Sequence, residues 1–309
     1  MNTIDALPGP LRSLWNRPFF LMIFTTLFWG GNVVAGRLAV GEVSPMAIVF
    51  LRWLIAFFLL AAIAWRPISA EYRQMLPHWP MVLLMGVFGY TGFNALYYSA
   101  AHHTSATNIA IIQGSTPIVI LLLGLVVFRN RLTVLQLVGA ILTMIGVFVC
   151  ASRGAVSVIT TLDFNRGDLW LLIASIMYAF YTLLLRKRPA CSPLTFFAAM
   201  AAGATLSAIP LLAYEVMQGK LLWPGLKGWL IIAYIAILPS LLCQIAYIRG
   251  VELLGAGRAS IFYNLVPIFG VFLAALLLWE WPTLTDVIAL ALVIGGILVA
   301  ERDKGDGKA

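Results

Sequence analysis

The chain has 309 residues, 62% of them hydrophobic and only 10% charged, where soluble domains carry about 25% charged residues. That balance excludes a soluble two-domain protein. The net charge of +8 does not point to nucleic acid either, because the basic residues sit in short joints between apolar runs rather than on one patch.

An apolar run of about 20 residues crosses a bilayer, and ten such runs follow one another. A polar lead, 1–18, carries Arg12 and Arg17. Spans are expected at about 19–40, 45–65, 81–101, 104–128 and 132–151, then at 169–185, 194–216, 226–248, 256–278 and 284–300. The first run is long and lacks a small-residue cleavage site after it, so it is expected to remain as a span. Hydrophilic joints separate the runs, among them RPISAEYRQMLPHW after the second and SRGAVSVITTLDFNRGD after the fifth. None of the runs alternates with period two, and an open strand edge cannot face lipid. The fold class is therefore all-α, a polytopic membrane protein with ten transmembrane helices.

The two halves repeat. At an offset of 150 residues, Trp79 pairs with Trp229, Asn94 with Gln244, Tyr97 with Tyr247, Pro117 with Pro267, Thr133 with Thr283 and Gly146 with Gly296. Over positions 79–150, 11 of 72 ungapped pairs are identical. In so apolar an alphabet that fraction says little; the alignment of Trp, Tyr and Pro at one offset carries the repeat. Expected boundaries are 19–151 for the first five-helix repeat and 167–300 for the second. A linker at 152–166 joins them, and a charged tail at 301–309 follows.

With the N-terminus inside, 14 Lys and Arg residues fall in inside segments and 5 in outside joints, with Arg52 within a span. The positive-inside bias then puts both termini in the cytoplasm. Five spans per repeat is an odd number, so the second repeat must enter the membrane inverted. That is the architecture of many secondary transporters, with the substrate site at mid-membrane between the repeats.

Phe28-Trp29-Gly30-Gly31-Asn32, Ser44-Pro45, Leu51-Arg52-Trp53 and the two proline-bearing spans resemble the EamA-type repeats of the drug/metabolite transporter superfamily over roughly 20–300. Ser192-Pro193 stands where span 7 begins. The family's Gly-Glu after the fourth span is replaced by Arg129-Asn130, while Trp279-Glu280 keeps the acid in the second half. Within the superfamily the chain is most similar to bacterial amino-acid exporters, including the aromatic amino-acid type. The resemblance implies a multi-pass protein of the bacterial inner membrane that needs no cofactor and exports a small metabolite.

Polar residues within the spans fall at helical spacing and so share faces. Span 1 offers Trp29 and Asn32, span 3 Tyr90, Asn94 and Tyr97, and span 4 Gln113. Span 6 offers Tyr178 and Tyr181, span 8 Gln244 and Tyr247, and span 9 Tyr263. Buried polar groups in a membrane face a partner or a wet cavity. A substrate cavity is expected between spans 1, 3, 4, 6, 8 and 9, the set that the resemblance also implies, with spans 5 and 10 outside it. Aromatic walls carrying a few amides suit a small apolar or zwitterionic solute.

Pro117 and Pro267 lack an N–H, which should free the carbonyls of Gln113 and Tyr263 beside the cavity and make these helices hinges. Arg52 is expected to snorkel, to hold a contact between spans or to meet a substrate carboxylate. His102 and His103 read as joint residues.

No enzyme is expected. The chain lacks GxxxxGK[ST], HExxH and GxSxG, and Gly255-Ala256-Gly257 lacks the third glycine and the preceding strand of a dinucleotide loop. Cys150, Cys191 and Cys243 show no CxxC spacing and read as small hydrophobes, so neither a disulfide nor a metal site is expected. All twelve acids lie in tails, joints or last turns, which removes the usual proton carrier of a coupled pump. The expectation is a transporter exporting neutral or aromatic amino acids down their gradient by alternating access, as a monomer or homodimer. A multidrug or other metabolite exporter, and a non-transporting receptor or scaffold, remain open alternatives.

Overall fold

A computed structural model describes residues 13–100, 103–104, 106–155, 165–278 and 283–302. Residues 1–12 of the lead, His102, 156–164 of the linker, Trp279-Glu280 and 303–309 of the tail lie outside the described residues.

Among the described residues, ten helices are long and apolar enough to cross a membrane. They are α1 (Pro18–Leu38), α2 (Pro45–Ile63), α3 (Trp65–Ala100), α4 (Asn108–Val126), α5 (Val134–Ser152), α6 (Arg166–Lys187), α7 (Pro193–Met217), α8 (Leu226–Leu254), α9 (Ala256–Ala274) and α10 (Leu284–Glu301). No strand occurs among the described residues.

The helix starts follow from local chemistry. Pro18, Pro45 and Pro193 occupy first-turn positions, where a missing N–H costs nothing. The repeat mates Thr133 and Thr283 cap α5 and α10: Thr133 Oγ1 accepts from Gln136 N at 3.3 Å, and Asp286 accepts from Thr283 N at 2.7 Å. Asn165 and Asp168 form a capping box on α6.

One joint differs from its sequence expectation. RPISAEYRQMLPHW is helical, with Trp65–Met75 forming the amphipathic first part of α3. Its charged face carries Glu71, which accepts from Ser192 N at 2.8 Å and ties the start of α3 to the start of α7.

The two repeats are inverted about a common axis. Helices α5 and α10 run antiparallel, with Gly139 against Gly296 and Ala300, and Gly146 against Ala289 and Val293. At the 150-residue offset each contact is the image of the other, because 139 maps to 289 and 146 to 296. Only glycine permits this approach: a Cβ on Gly139 would sit 2.6 Å from the Gly296 carbonyl oxygen. The axis passes between these two helices.

Charged residues collect at the two ends of the bundle. At one end Arg249 reaches Asn16 at 2.8 Å, Arg188 pairs with Glu252 at 2.9 Å, Arg186 reaches Asn130 at 3.0 Å, and Arg258 pairs with Glu301. At the other end Lys227 pairs with Glu42 at 2.9 Å, and Glu215 accepts from Ser44 Oγ at 2.6 Å. Buried Asp168 there accepts from Thr104 Oγ1 at 2.5 Å. Several of these contacts join one repeat to the other, so the halves touch at both ends.

Candidate functional site

Midway between the two charged ends, α1, α2, α3, α4, α6, α8 and α9 enclose a cavity of about 60 Å³. Eight of the eleven residues singled out from the sequence line it: Trp29, Asn32, Asn94, Tyr97, Gln113, Tyr178, Gln244 and Tyr263. Helices α5 and α10 contribute nothing to its wall. The lining includes two repeat pairs, Asn94 with Gln244 and Gln113 with Tyr263, so the cavity straddles the axis between the halves.

The other three, Tyr90, Tyr181 and Tyr247, are fully buried and form a layer behind the wall. The hydroxyls of Tyr90 and Tyr181 lie 3.3 Å apart, Tyr181 donates to Gln244 Oε1 at 3.2 Å, and Tyr247 meets Thr182 Oγ1 at 3.1 Å. These bonds satisfy polar groups that would otherwise be stranded in an apolar interior, and they fix the Gln244 amide at the wall.

Two bends in the backbone position the lining. A π-helical turn interrupts α3 at Val87–Gly92, and another interrupts α8 at Ala236–Leu242. They occupy equivalent positions in the two repeats, and such turns are frequent at functional sites. The cause in α8 is visible. Pro239 has no N–H, so the Ile235 carbonyl loses its helical donor; Ser240 Oγ supplies one instead, at 2.7 Å. The carbonyl of Pro239 accepts from Trp29 Nε1 at 3.1 Å, which holds α1 against the bend. In α3, Gly89 stands at the position of Pro239, and Asn94 Nδ2 donates back to the Tyr90 carbonyl.

The two prolines lie beside breaks in their helices. In α4 the helix breaks at Ser115, and Pro117 sits in the first turn of the resumed helix. The carbonyl that takes a side-chain donor is that of Gly114, not Gln113, and the donor is Asn264 Nδ2 at 3.1 Å. In α9 a tight turn at Phe262–Asn264 precedes Pro267. The Asn264–Gly114 bond ties the two breaks to each other.

Aromatic rings form much of the wall. The Trp29 ring centroid lies 6.4 Å from that of Tyr178 and 5.9 Å from that of Tyr263, both edge-on. Tyr178 and Tyr263 are 5.6 Å apart, and Phe93 is 5.1 Å from Tyr178. Edge-to-face contacts of this kind stiffen the wall by about 0.5–1.5 kcal/mol each beyond area burial.

Sequence reasoning left α2 out of the cavity, and the structure adds its Arg52 and Trp53. Arg52 is 4% exposed. Its Nε donates to Ser240 Oγ at 2.8 Å and its Nη1 to Asn94 Oδ1 at 3.1 Å, with Tyr98 OH at 3.4 Å. Snorkelling is thus ruled out: the guanidinium points inward, and Ser240 passes its charge-assisted bond on to the freed Ile235 carbonyl. Trp53 stacks on Tyr90 with ring centroids 4.2 Å apart. The signal in the sequence was the lone basic residue within a span.

The polar inventory of the wall is unbalanced. Arg52 has no carboxylate partner; its titratable neighbours, Tyr98 and Cys243, are a phenol and a thiol. A buried ion without a counter-charge costs roughly several kcal/mol. Trp53 Nε1 and Asn32 Oδ1 find no hydrogen-bond partner among the described residues. No Asp or Glu among the described residues lines the cavity.

Comparisons with known proteins agree with this fold. The EamA-like transporter family is matched twice, by residues 16–152 and 165–301. The uncharacterized transporter YyaM of Bacillus subtilis is 25% identical over 284 residues, 91% of this chain and 92% of its own length. The uncharacterized inner membrane transporter YhbE of Escherichia coli strain K12 is 24% identical over 271 residues, 85% of this chain and 81% of its own. A crystal structure superposes with a TM-score of 0.77 over 93% of this chain and 99% of that one, at 18% identity, which speaks to the fold alone.

Proposed function

The chain belongs to the EamA-like transporter family, and on that premise we propose that this multi-pass membrane transporter exports neutral or aromatic amino acids across a bacterial inner membrane by alternating access. The observation that carries the proposal is the placement of repeat mates on one cavity wall: Asn94 with Gln244, and Gln113 with Tyr263. A site on the axis of an inverted repeat is reached from opposite sides when the two halves exchange conformations.

The chemistry of the wall supports the solute class. Trp29, Tyr178 and Tyr263 offer an aromatic enclosure, the amides offer donors and acceptors, and Arg52 offers positive charge. With no carboxylate on the wall, the proposed transport runs down the solute's own gradient, and a cell that accumulates the solute loses it. Both termini are assigned to the cytoplasm by the charge bias.

The test is reconstitution of the full chain in liposomes with a panel of labelled neutral amino acids, aromatic amino acids, cationic dyes and nucleosides. Movement of the amino acids is expected. Movement of dyes alone would select the multidrug reading, and movement of nothing would favour a receptor or scaffold.

A further inference from the structure

We propose that the donor pair Arg52–Trp53 on α2 is the carboxylate-binding site of the cavity, so that a transported solute must present a free carboxylate on a body that fits the aromatic wall. The inference rests on the transport reading for its physiological meaning and on the geometry of α2 for its chemistry.

Arg52 is held where its charge meets no acid: the guanidinium carbon lies 5.2 Å from the centroid of the Trp53 ring, and its hydrogen-bond partners are neutral. Its Nε and Nη1 are bound by Ser240 and Asn94, both neutral, and these bonds fix the guanidinium plane. Ion pairs lie at the ends of the bundle: Arg188 and Arg249 with Glu252, Lys227 with Glu42, and Arg258 with Glu301. Arg52 joins none of them. A buried ion is stabilised by pairing, and no acid lines the cavity to provide it. The missing anion is therefore supplied from outside the chain.

The neighbouring residue points to the same ligand. Trp53 is 1% exposed, stacks on Tyr90, lines the same cavity, and leaves Nε1 without an acceptor. An unpartnered indole N–H and a guanidinium bonded only to neutral groups thus stand in contact on α2. Indole N–H only donates and guanidinium only donates, and a carboxylate answers both, since it accepts at two oxygens and brings the missing negative charge. Ammonium groups and dye cations would add like charge, and uncharged sugars accept hydrogen bonds but bring no counter-charge. The pair also lies in the wall that Trp29, Tyr178 and Tyr263 complete, which provides for an apolar body beside the anion.

The test uses the purified full chain in detergent and follows tryptophan emission during titration with three probes of one shape: L-phenylalanine, L-phenylalaninamide and 3-phenylpropionate. Both carboxylates should bind wild type, and the amide should bind at least about tenfold more weakly, since charge-assisted bidentate contacts are the strong ones. Arg52→Gln should reduce the two carboxylates to the level of the amide, and Arg52→Lys should recover part of the loss. The wild-type comparison of acid with amide stands even where a variant fails to fold. Equal binding of acid and amide, or no binding of either carboxylate, overturns the proposal. Binding and transport of 3-phenylpropionate but not of phenylalanine would keep the carboxylate site and remove the amino-acid reading. Transport of phenylalanine with no preference over its amide would do the reverse.

Discussion

Asn264 donates its side-chain amide to the backbone carbonyl of Gly114, its own mate in the repeat, at 3.1 Å. The same nitrogen reaches Thr143 Oγ1 on α5 at 2.9 Å. Residues that share an offset and touch each other lie on the axis, so this amide ties the broken segment of α4 to that of α9 at the centre of symmetry. Asn264→Ala leaves the Gly114 carbonyl without its side-chain donor in an apolar interior. The expected cost is roughly 1–3 kcal/mol, read as a lower melting temperature of the purified protein in detergent. A melting temperature equal to wild type would show that the tie contributes nothing.

The α5–α10 contact makes a sharper comparison between adjacent glycines. A Cβ on Gly296 would lie 2.7 Å from the Gly139 carbonyl oxygen, whereas a Cβ on Gly295 would meet only Leu142 at 3.8 Å. Gly296→Ala should therefore destabilise by about 1–3 kcal/mol through overpacking. Gly295→Ala should be neutral, or stabilising by up to about 1 kcal/mol from helix propensity. Equal effects in thermal unfolding would refute the close crossing.

Much of this architecture was legible in the chain. Apolar run length marked ten helices, and the 150-residue offset of Pro117, Tyr97 and Gly146 marked the repeat, because membrane burial and symmetry both act on local pattern. In-span Asn, Gln and Tyr marked the cavity for the same reason: a polar group in lipid needs a destination. What stayed hidden depends on contacts between distant segments. Arg52 meets Ser240 across 188 positions, and nothing in Leu51-Arg52-Trp53 states that partner. At Ala236–Leu242 the carbonyls of Ile235 and Pro239 are met by Ser240 Oγ and by Trp29, the latter 210 positions away, so Pro239 alone did not reveal the π-helical turn. The prolines were read as freeing the carbonyls of Gln113 and Tyr263; that Asn264 donates to the Gly114 carbonyl, 150 positions away, is a contact no local pattern states.

At the cavity, the repeat pair Gln113 and Tyr263 gives the cleanest functional test, with Tyr97 beside them. Each line the wall without holding helices together through a recorded side-chain bond. Gln113→Ala, Tyr263→Ala and Tyr97→Ala should each lower liposome flux about tenfold or more; gel filtration should stay normal in all three and melting near wild type in Gln113→Ala, while Tyr263→Ala should also melt lower because it loses its ring contacts with Trp29 and Tyr178. Removing one contact to a bound solute changes rates on that scale when about 1.4 kcal/mol is lost. Wild-type flux in all three variants would place the solute path elsewhere.

Orientation follows from charge and is open to chemical labelling. Lys220 belongs to the end assigned outside and Lys187 to the end assigned inside, and both are exposed. In a background with Cys150, Cys191 and Cys243 replaced by Ala, Lys220→Cys should react with a membrane-impermeant maleimide on intact cells. Lys187→Cys should react only after lysis. The reverse pattern would invert the assigned topology, since the bias of Lys and Arg is what sets it.

Alternating access through the axial cavity is tested most directly by counterflow. Proteoliposomes are loaded with unlabelled L-phenylalanine, diluted into a trace of the labelled amino acid, and sampled over time. A carrier whose two halves exchange around one site returns labelled solute for each unlabelled molecule that leaves, so the label should rise above its equilibrium level and then fall. The overshoot should persist without any pH gradient, because no carboxylate lines the cavity. Label that equilibrates without an overshoot, as through an open pore, or an overshoot that appears only with an imposed pH gradient, would contradict facilitated exchange at this site.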